Sequence, residues 1–227
     1  MKHVVLTMML GAVAAVTPAM ASAQDRDGWY ASASGTLSVR EGTDGTIANA
    51  PAPGSTVRTE SDFQAGYGGQ IAIGRKVGRF RFEAEFGYAR DTQNSYTAIV
   101  PPTGKIAADV VETATRGMIN GYVDLTRGPI QPYLGAGAGV ARIHVLFVAP
   151  RAPFPTEAPR TLIDDGDTRF AYQLIGGVAF KLGPNLALTA QYRWFDAGTL
   201  SAKDVRGEAI TRKHSGHNFD LGFRLSF

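Results

Sequence analysis

Charged residues recur at alternate positions in segments that are otherwise rich in aromatic residues and glycine. The charged set is Arg81, Glu83, Glu85, Asp124, Arg193, Asp220 and Arg224. In an extended chain, residues two apart project from the same face, so Glu83 and Glu85 repel each other unless cations lie between them. Arg193 and Arg224 are candidate partners for these glutamates. Inside a protein such charges must be paired, because an unpaired buried charge is costly.

This set of charges has two chemical interpretations. The first is a structural plug, in which fixed ion pairs fill an interior space. The second is a gated, very narrow ion path, in which arginine and glutamate exchange partners. The sequence favours the plug, and the ion path remains the alternative.

Catalytic and metal-binding residues are not predicted. His214 and Ser215 are adjacent, but neighbours in a strand point to opposite faces, so they do not form a nucleophile and base. Asp164, Asp165 and Asp167 lack the pattern of a calcium loop and are interpreted as a solvated turn. The chain contains no cysteine, which excludes cysteine-based zinc and iron–sulfur sites. No cofactor is predicted.

The segment that carries Arg81, Glu83 and Glu85 has the pattern of a β-strand. Phe80, Phe82, Ala84, Phe86 and Tyr88 alternate with the charged residues, which gives a period of two. Seven further segments share this pattern. The eight predicted strands cover about 29–39, 63–75, 79–88, 117–125, 131–143, 170–180, 186–195 and 218–227. In the fifth, which includes Tyr133 and Leu134, both faces are small or apolar, so its orientation is ambiguous.

The links between these strands alternate in length. Three are short and rich in turn residues, at 76–78, 126–129 and 183–185. Four are long, at about 40–62, 89–116, 144–169 and 196–217. The predicted fold is therefore all-β: an eight-stranded antiparallel up-and-down transmembrane β-barrel with four long external loops and three short periplasmic turns. An even number of strands places both ends of the barrel on the short-turn side.

A soluble barrel would have the same periodicity with the apolar face inside. We favour the inverted arrangement because the polar set is rich in glycine, which suits a crowded lumen, and because aromatic residues stand near strand ends, where they can form interfacial girdles. These aromatic residues are Trp29, Phe63, Phe80, Tyr88, Phe180, Trp194 and Phe227. The lumen of eight strands is only wide enough for side chains.

The first 23 residues have the features of an export signal. A basic end and an apolar run from Val4 to Val16 precede Ala21-Ser22-Ala23, an A-x-A cleavage pattern. We therefore predict a signal peptide over 1–23 and one barrel domain over 24–227. The net charge of +3 argues against a nucleic-acid partner, and 44% hydrophobic residues argue against disorder.

Three segments resemble the OmpA-like, opacity-protein and surface-antigen family of outer membrane barrels. They are Pro132–Gly139, Phe170–Phe195 and the final strand Phe219–Phe227. The resemblance implies an outer membrane location in a Gram-negative bacterium, and recognition of Phe227 by the barrel assembly machinery as an assembly signal. Larger relatives have a second domain that binds peptidoglycan. The sequence stops at Phe227, so wall anchoring is not expected.

The long loops are the predicted interaction surface, because binding residues often lie on loops held by a rigid scaffold. In the last loop, Arg212 and Lys213 are candidates for pairing with lipopolysaccharide phosphates. The predicted function is non-enzymatic: envelope integrity and surface interaction by a monomer, with membrane lipids, lipopolysaccharide and an extracellular ligand or host surface as partners. A narrow porin-like channel or transport protein is the alternative, and an enzyme that modifies lipid A is the third candidate.

Overall fold

A computed structural model describes residues 27–40, 45–48, 56–61, 64–93, 96–100, 104–106, 109–149, 160–203 and 209–227. The predicted signal peptide lies outside these residues. The described residues form twelve strands: β1 Gly28–Arg40, β2 Gly45–Ala48, β3 Thr56–Ser61, β4 Gln64–Val77, β5 Phe80–Gln93, β6 Tyr96–Val100, β7 Gly104–Ile106, β8 Asp109–Asp124, β9 Ile130–Ala149, β10 Arg160–Lys181, β11 Leu186–Lys203 and β12 Ala209–Ser226.

Eight of these strands close into one antiparallel barrel, in the order β1-β12-β11-β10-β9-β8-β5-β4. Strand β1 pairs with β12 on one side, where Tyr30 faces Ser226, and with β4 on the other, where Tyr30 faces Gly74. The predicted eight-stranded up-and-down barrel is thus confirmed. The short turns connect β4 to β5, β8 to β9 and β10 to β11, and β1 begins and β12 ends at the same end of the barrel.

The barrel is polar inside and apolar outside. Along β5, Arg81 and Glu83 are 3% and 8% exposed, whereas Phe82 between them is 61% exposed. The same alternation runs along the other barrel strands, so the outer face presents the aliphatic and aromatic residues. None of the described residues belongs to a helix long and apolar enough to cross a membrane.

Strand β9 has its tyrosine inside. Tyr133 is buried and Leu134 is exposed, which settles the orientation that the sequence left open. Gly135 and Gly137 share the inward face, and a Cβ at Gly137 would lie 1.9 Å from the Asn120 side-chain oxygen. The small inward residues of β9 therefore make room for large polar side chains from β8.

The long links are shorter than predicted because pairing continues beyond the length that a membrane requires. A membrane strand needs ~9–11 residues, whereas β10 has 22 and β9 has 20. Of the link predicted over 144–169, residues 144–149 belong to β9 and 160–169 to β10, and 150–159 lie outside the described residues. Two other long links contribute strands to a second sheet, with the order β2-β3-β6-β7. Strand pairing satisfies the backbone N–H and C=O groups outside the membrane as well as inside it. The barrel strands can therefore stay paired beyond the bilayer.

Some residues that were predicted to lie in the long links belong to barrel strands instead. Arg212 and Lys213 lie in β12, where they pair with Leu200 and Thr199 of β11, rather than in a loop. Asp196, which was also placed in the last long link, is buried in β11. Among the predicted girdle residues, Trp29, Phe80, Tyr88 and Phe227 are exposed, Phe180 and Trp194 are half-buried, and Phe63 lies outside the described residues.

Candidate functional site in the barrel lumen

The centre of the lumen is occupied by an ion-pair network between opposite walls. Glu85 accepts hydrogen bonds from Arg193 at 2.6 Å and from Arg116 at 3.2 Å. Arg193 also lies 3.0 Å from Asp220, so it joins two carboxylates. All four side chains are buried. A buried charge that loses its partner is strongly destabilising, so this network ties together the strands that carry it.

Amide side chains complete the hydrogen bonding of this network. Asn120 donates to Glu85 at 2.8 Å, and Gln173 donates to the side-chain oxygen of Asn120 at 2.7 Å. Gln191 donates to Asp220 at 2.9 Å, and Thr36 donates to the other oxygen of Asp220 at 2.6 Å. Carboxylates accept several hydrogen bonds each, so amide and hydroxyl donors help to stabilise them away from water.

A second layer lies nearer the short-turn end and is built around Arg81. Its Nε donates to Asp124 at 3.0 Å, and Lys76 contacts the other oxygen of Asp124 at 2.8 Å. The guanidinium carbon of Arg81 also lies 4.5 Å from the ring centroid of Tyr122 and 4.7 Å from that of Tyr133. Arginine stacked on aromatic faces in a dry site gains cation–π stabilisation in addition to its ion pair.

The carboxylate of Glu83 is hydrogen-bonded to two tyrosine hydroxyl groups. It accepts hydrogen bonds from the hydroxyl groups of Tyr30 at 3.0 Å and Tyr122 at 3.1 Å. Of the two arginines named as partners for the glutamates, Arg193 contacts Glu85, while Arg224 lies beside the Tyr30 ring at the short-turn end, 5.7 Å from its centroid. The two glutamates therefore have different environments, and Glu85 has the direct ionic partners.

The outer part of the lumen contains an apolar cluster that the sequence analysis did not predict. It comprises Ala114, Met118, Ala141, Ile143, Ala171, Phe195 and Ala197, with Val145 packed against it. Beside it, His214 lies 2.7 Å from Glu112, and its ring packs edge-on against Phe195. The lumen thus changes from polar to partly apolar toward the long-link end.

The seven predicted lumen residues are all buried inside the barrel, at 8% exposure or less. Sequence reasoning missed Lys76 and Arg116, which it had placed in links, and it did not assign Tyr30, Tyr122 or Tyr133 to the site. The signal for Lys76 and Arg116 was available, because each continues the inward parity of its strand. Lys76, Tyr30 and Tyr122 lie close to a strand end and Tyr133 lies on a strand whose faces look alike, whereas Arg116 lies in the middle of β8, before the predicted start of that strand.

The histidines and aspartates that were predicted to lie in the long links make separate local contacts. His144 contacts Asp164 at 2.9 Å, Asp167 accepts from Arg169 at 2.6 Å, and Asp165 accepts from the N–H of Gly166 at 2.8 Å. Asp164, Asp165 and Asp167 belong to strand β10, not to a solvated turn. His214 lies inside the barrel, and Ser215 follows it in the same strand, so the two point to opposite faces.

The barrel has an apolar outer face and a polar interior, and its strands extend beyond the membrane at one end. These features define a class of protein, the membrane-spanning β-barrels. The chain belongs to the outer membrane protein beta-barrel domain family, whose model matches residues 7–227. It is therefore an outer membrane protein.

The chain is similar to parts of other bacterial proteins and has the fold of a solved outer membrane protein. A putative adhesin of Rickettsia typhi is 29% identical over 117 residues, which cover 49% of this chain and 50% of the relative. An uncharacterised protein of Brucella abortus is 40% identical over 79 residues, 34% of this chain and 28% of that protein. The chain thus spans half or less of these relatives. The outer membrane protein OprG of Pseudomonas aeruginosa has a similar fold, with a TM-score of 0.55 at 13% identity, covering 88% of this chain and 96% of OprG.

Proposed function

We propose that this protein is a surface-interaction protein whose external strands bind another surface. The observation that carries the proposal is the length of the hairpins at the long-link end. Strands β9 and β10 remain paired from Ile130 and Phe180 out to Ala149 and Arg160. Because a membrane strand needs only ~9–11 residues, the outer part of this hairpin forms a rigid extension beyond the bilayer.

The second sheet adds to this external structure. Its strands come from the segments between β1 and β4 and between β5 and β8, which both leave the barrel at the same end as the long hairpins. A folded platform presents a binding surface at lower entropic cost than free loops. Two Rickettsia relatives are named putative adhesins, which fits this role.

The remaining partners follow from the surface of the barrel. Its apolar belt contacts membrane lipids, and Arg212 and Lys213 in the outer part of β12 are proposed to pair with lipopolysaccharide phosphates. We further propose that Phe227, 71% exposed at the end of the last strand, is read by the barrel assembly machinery. The protein acts as a monomer, without a cofactor, a metal, catalysis or nucleic acid.

The test is attachment of bacteria that display trimmed hairpins. Val145 pairs with Asp165, so deleting Leu146 to Asp164 and closing with a two-residue turn keeps the register of β9 and β10. We expect the full chain to confer attachment to a host-cell layer and the trimmed variant to reduce it severalfold. Pro184→Ala, in a turn at the opposite end, is the matched control and should attach normally. The proposal fails if the full chain confers no attachment over an empty vector, or if the trimmed barrel, folded by gel mobility, attaches fully.

A narrow ion path is the second candidate, and one observation favours it. Glu85 contacts two guanidinium groups and Arg193 contacts two carboxylates, so each has an alternative partner if one contact breaks. Exchange between these pairs would open and close the centre of the lumen. Planar-bilayer conductance separates this function from attachment. An activity on lipid A, the third candidate, is tested by the lipid A composition of a deletion strain.

A further inference from the structure

The short-turn end of the barrel contains a cavity of about 170 Å³ lined by basic side chains. Four cationic residues, Lys76, Arg81, Lys181 and Arg224, line it, and all are at most 9% exposed. The turn over 183–185, Asp27 and Gly28 at the start of β1, and Ser226 and Phe227 at the end of β12 complete its rim. A concave site with convergent cationic groups is a natural place for an anion.

Two of these side chains have donors that the described structure leaves unmatched. Arg81 Nη2 and Arg224 Nη1 are buried and make no hydrogen bond within the described part of the protein. Both guanidinium groups lie near the same ring, at 5.9 and 5.7 Å from the centroid of Tyr30. A buried charged donor without an acceptor is costly, so two of them beside one cavity indicate a missing acceptor.

The side-chain carboxylates described at this end have other partners. Asp124 contacts both Lys76 and Arg81, and Asp27 accepts from the N–H of Gly78 at the rim. Glu83, one layer deeper, accepts from Tyr30 and Tyr122, so neither it nor Asp124 is hydrogen-bonded to Arg81 Nη2 or Arg224 Nη1. In the central layer Arg193 Nη2 also lacks a well-aligned hydrogen bond, but it lies 3.0 Å from a carboxylate oxygen of Asp220.

We propose that this cavity is a binding site for a small oxoanion of the phosphate or sulfate type. Two guanidinium groups offer several N–H donors in a geometry that suits tetrahedral oxoanions. The cavity opens at the short-turn end, which faces the periplasm in this family of barrels, so lipopolysaccharide phosphates on the outer leaflet do not reach it. The ligand is either free oxoanion or the phosphate of a phospholipid headgroup in the periplasmic leaflet.

The test uses the full refolded chain in a maltoside detergent, which contains no phosphate. The unfolding temperature is measured in sodium phosphate and in sodium chloride at equal ionic strength. We expect phosphate to raise this temperature by several degrees in the parent protein and in Arg90→Gln, an exposed site near the other end of β5. Arg224→Gln should lose most of the increase, and its apparent affinity for phosphate should fall at least tenfold.

Phosphate also stabilises proteins by exclusion from their surfaces, and the variants separate that effect from binding. If phosphate and chloride act alike on the parent, or if Arg224→Gln keeps the full increase, the site does not exist. If Arg224→Gln does not fold, arginine side-chain NMR of the parent decides. Shifts of the Arg81 and Arg224 Nε signals at millimolar phosphate support the site, and unchanged signals overturn it.

The same NMR titration in phosphatidylglycerol bicelles identifies the source of the oxoanion. If the headgroup is the ligand, both arginine signals will already be shifted before phosphate is added. If free oxoanion is the ligand, the signals will start at their maltoside positions and move on titration. Signals that start unshifted and do not move in either medium contradict the proposal.

Discussion

Arg193 Nη1 lies 2.6 Å from Glu85 Oε1, although 108 residues separate the two in the chain. The strands that carry them, β11 and β5, are four strands apart in either direction around the barrel. This ion pair therefore spans the diameter of the lumen. Long-range contacts of this kind hold the cross-section of the barrel independently of the backbone ladders between neighbouring strands.

Replacing Glu85 with glutamine should strongly destabilise the barrel. The change leaves Arg116 and Arg193 short of negative charge in a buried site, and breaking a buried pair in this way costs ~3–5 kcal/mol. The free energy of unfolding can be measured by urea titration in lipid vesicles, followed by fluorescence of the two tryptophans. Asp167→Asn, in the more exposed pair with Arg169, is the control and should change stability by less than ~1 kcal/mol. Equal effects of the two changes would contradict a structural role for the central network.

Replacing Gly137 with alanine should disturb the same network from β9, the neighbour of β8. The new Cβ would lie 1.9 Å from Asn120 Oδ1, which accepts from Gln173. Overpacking of this kind costs ~1–3 kcal/mol. Gly121→Ala is the matched change on β8, because a Cβ there meets nothing within 4 Å, and we expect it to be neutral or slightly stabilising. Urea unfolding of both variants checks the prediction, which fails if both behave alike.

Removing the two central arginines should open the lumen to ions. Arg116→Ala with Arg193→Ala deletes the largest side chains at the level of Glu85, and two carboxylates then line a wider passage. We expect the parent protein to show little steady conductance in planar bilayers and the double variant to show discrete, cation-selective steps. Arg169→Ala, on the outer part of β10, should behave as the parent. Frequent openings of the parent would instead favour the narrow ion path as its function.

A charge on the outer belt should reveal the lipid-facing surface. Ile119 is 65% exposed and lies in the middle of β8, where it pairs with Ala84 and Ala138. Arginine near the bilayer midplane costs ~2–4 kcal/mol. Ile119→Arg should therefore lower the free energy of unfolding in vesicles far more than Ile119→Ala does. If both substitutions lower the free energy of unfolding by the same amount, the side chain at position 119 does not face hydrocarbon.

Phe227→Ala should lower the amount of assembled barrel without lowering its stability much. The Phe227 side chain is exposed, while its N–H donates to the carbonyl of Trp29 and would continue to do so. We expect less heat-modifiable protein in the outer membrane of cells and near-normal refolding in detergent. Leu225→Ala, another exposed residue of the same strand, is the control. Normal assembly of the Phe227 variant would remove the assembly-signal proposal.

The sequence predicts the fold better than it predicts the site, and the reason lies in how each strand alternates. In β5 the inward residues are charged and the outward ones aromatic, so the orientation and the fate of Glu83 and Glu85 follow directly. In the middle of β9 the inward residues Gly135, Gly137 and Gly139 are small, because side chains of β8 fill the space, and the alternation disappears from the sequence. Strand bounds are harder still: Lys76 stands beside a turn at the end of β4, and Arg116 lies in the middle of β8, which begins well before the predicted strand. Cross-lumen partners such as Arg193 and Glu85 depend on the closure and register of all eight strands, which no local pattern contains.

The contact between Thr36 and Asp220 has a consequence for how the wall can open. These residues face each other across the seam where the first and last barrel strands meet, and Asp220 is also held by Arg193 and Gln191 of the next strand. This contact joins β1 and β12 on the lumen side. A lateral opening between these two strands would break it and expose the carboxylate of Asp220 to hydrocarbon. Because Thr36 supplies a donor to Asp220 only when β1 and β12 are paired, we expect closure of the ring and burial of this carboxylate to be coupled.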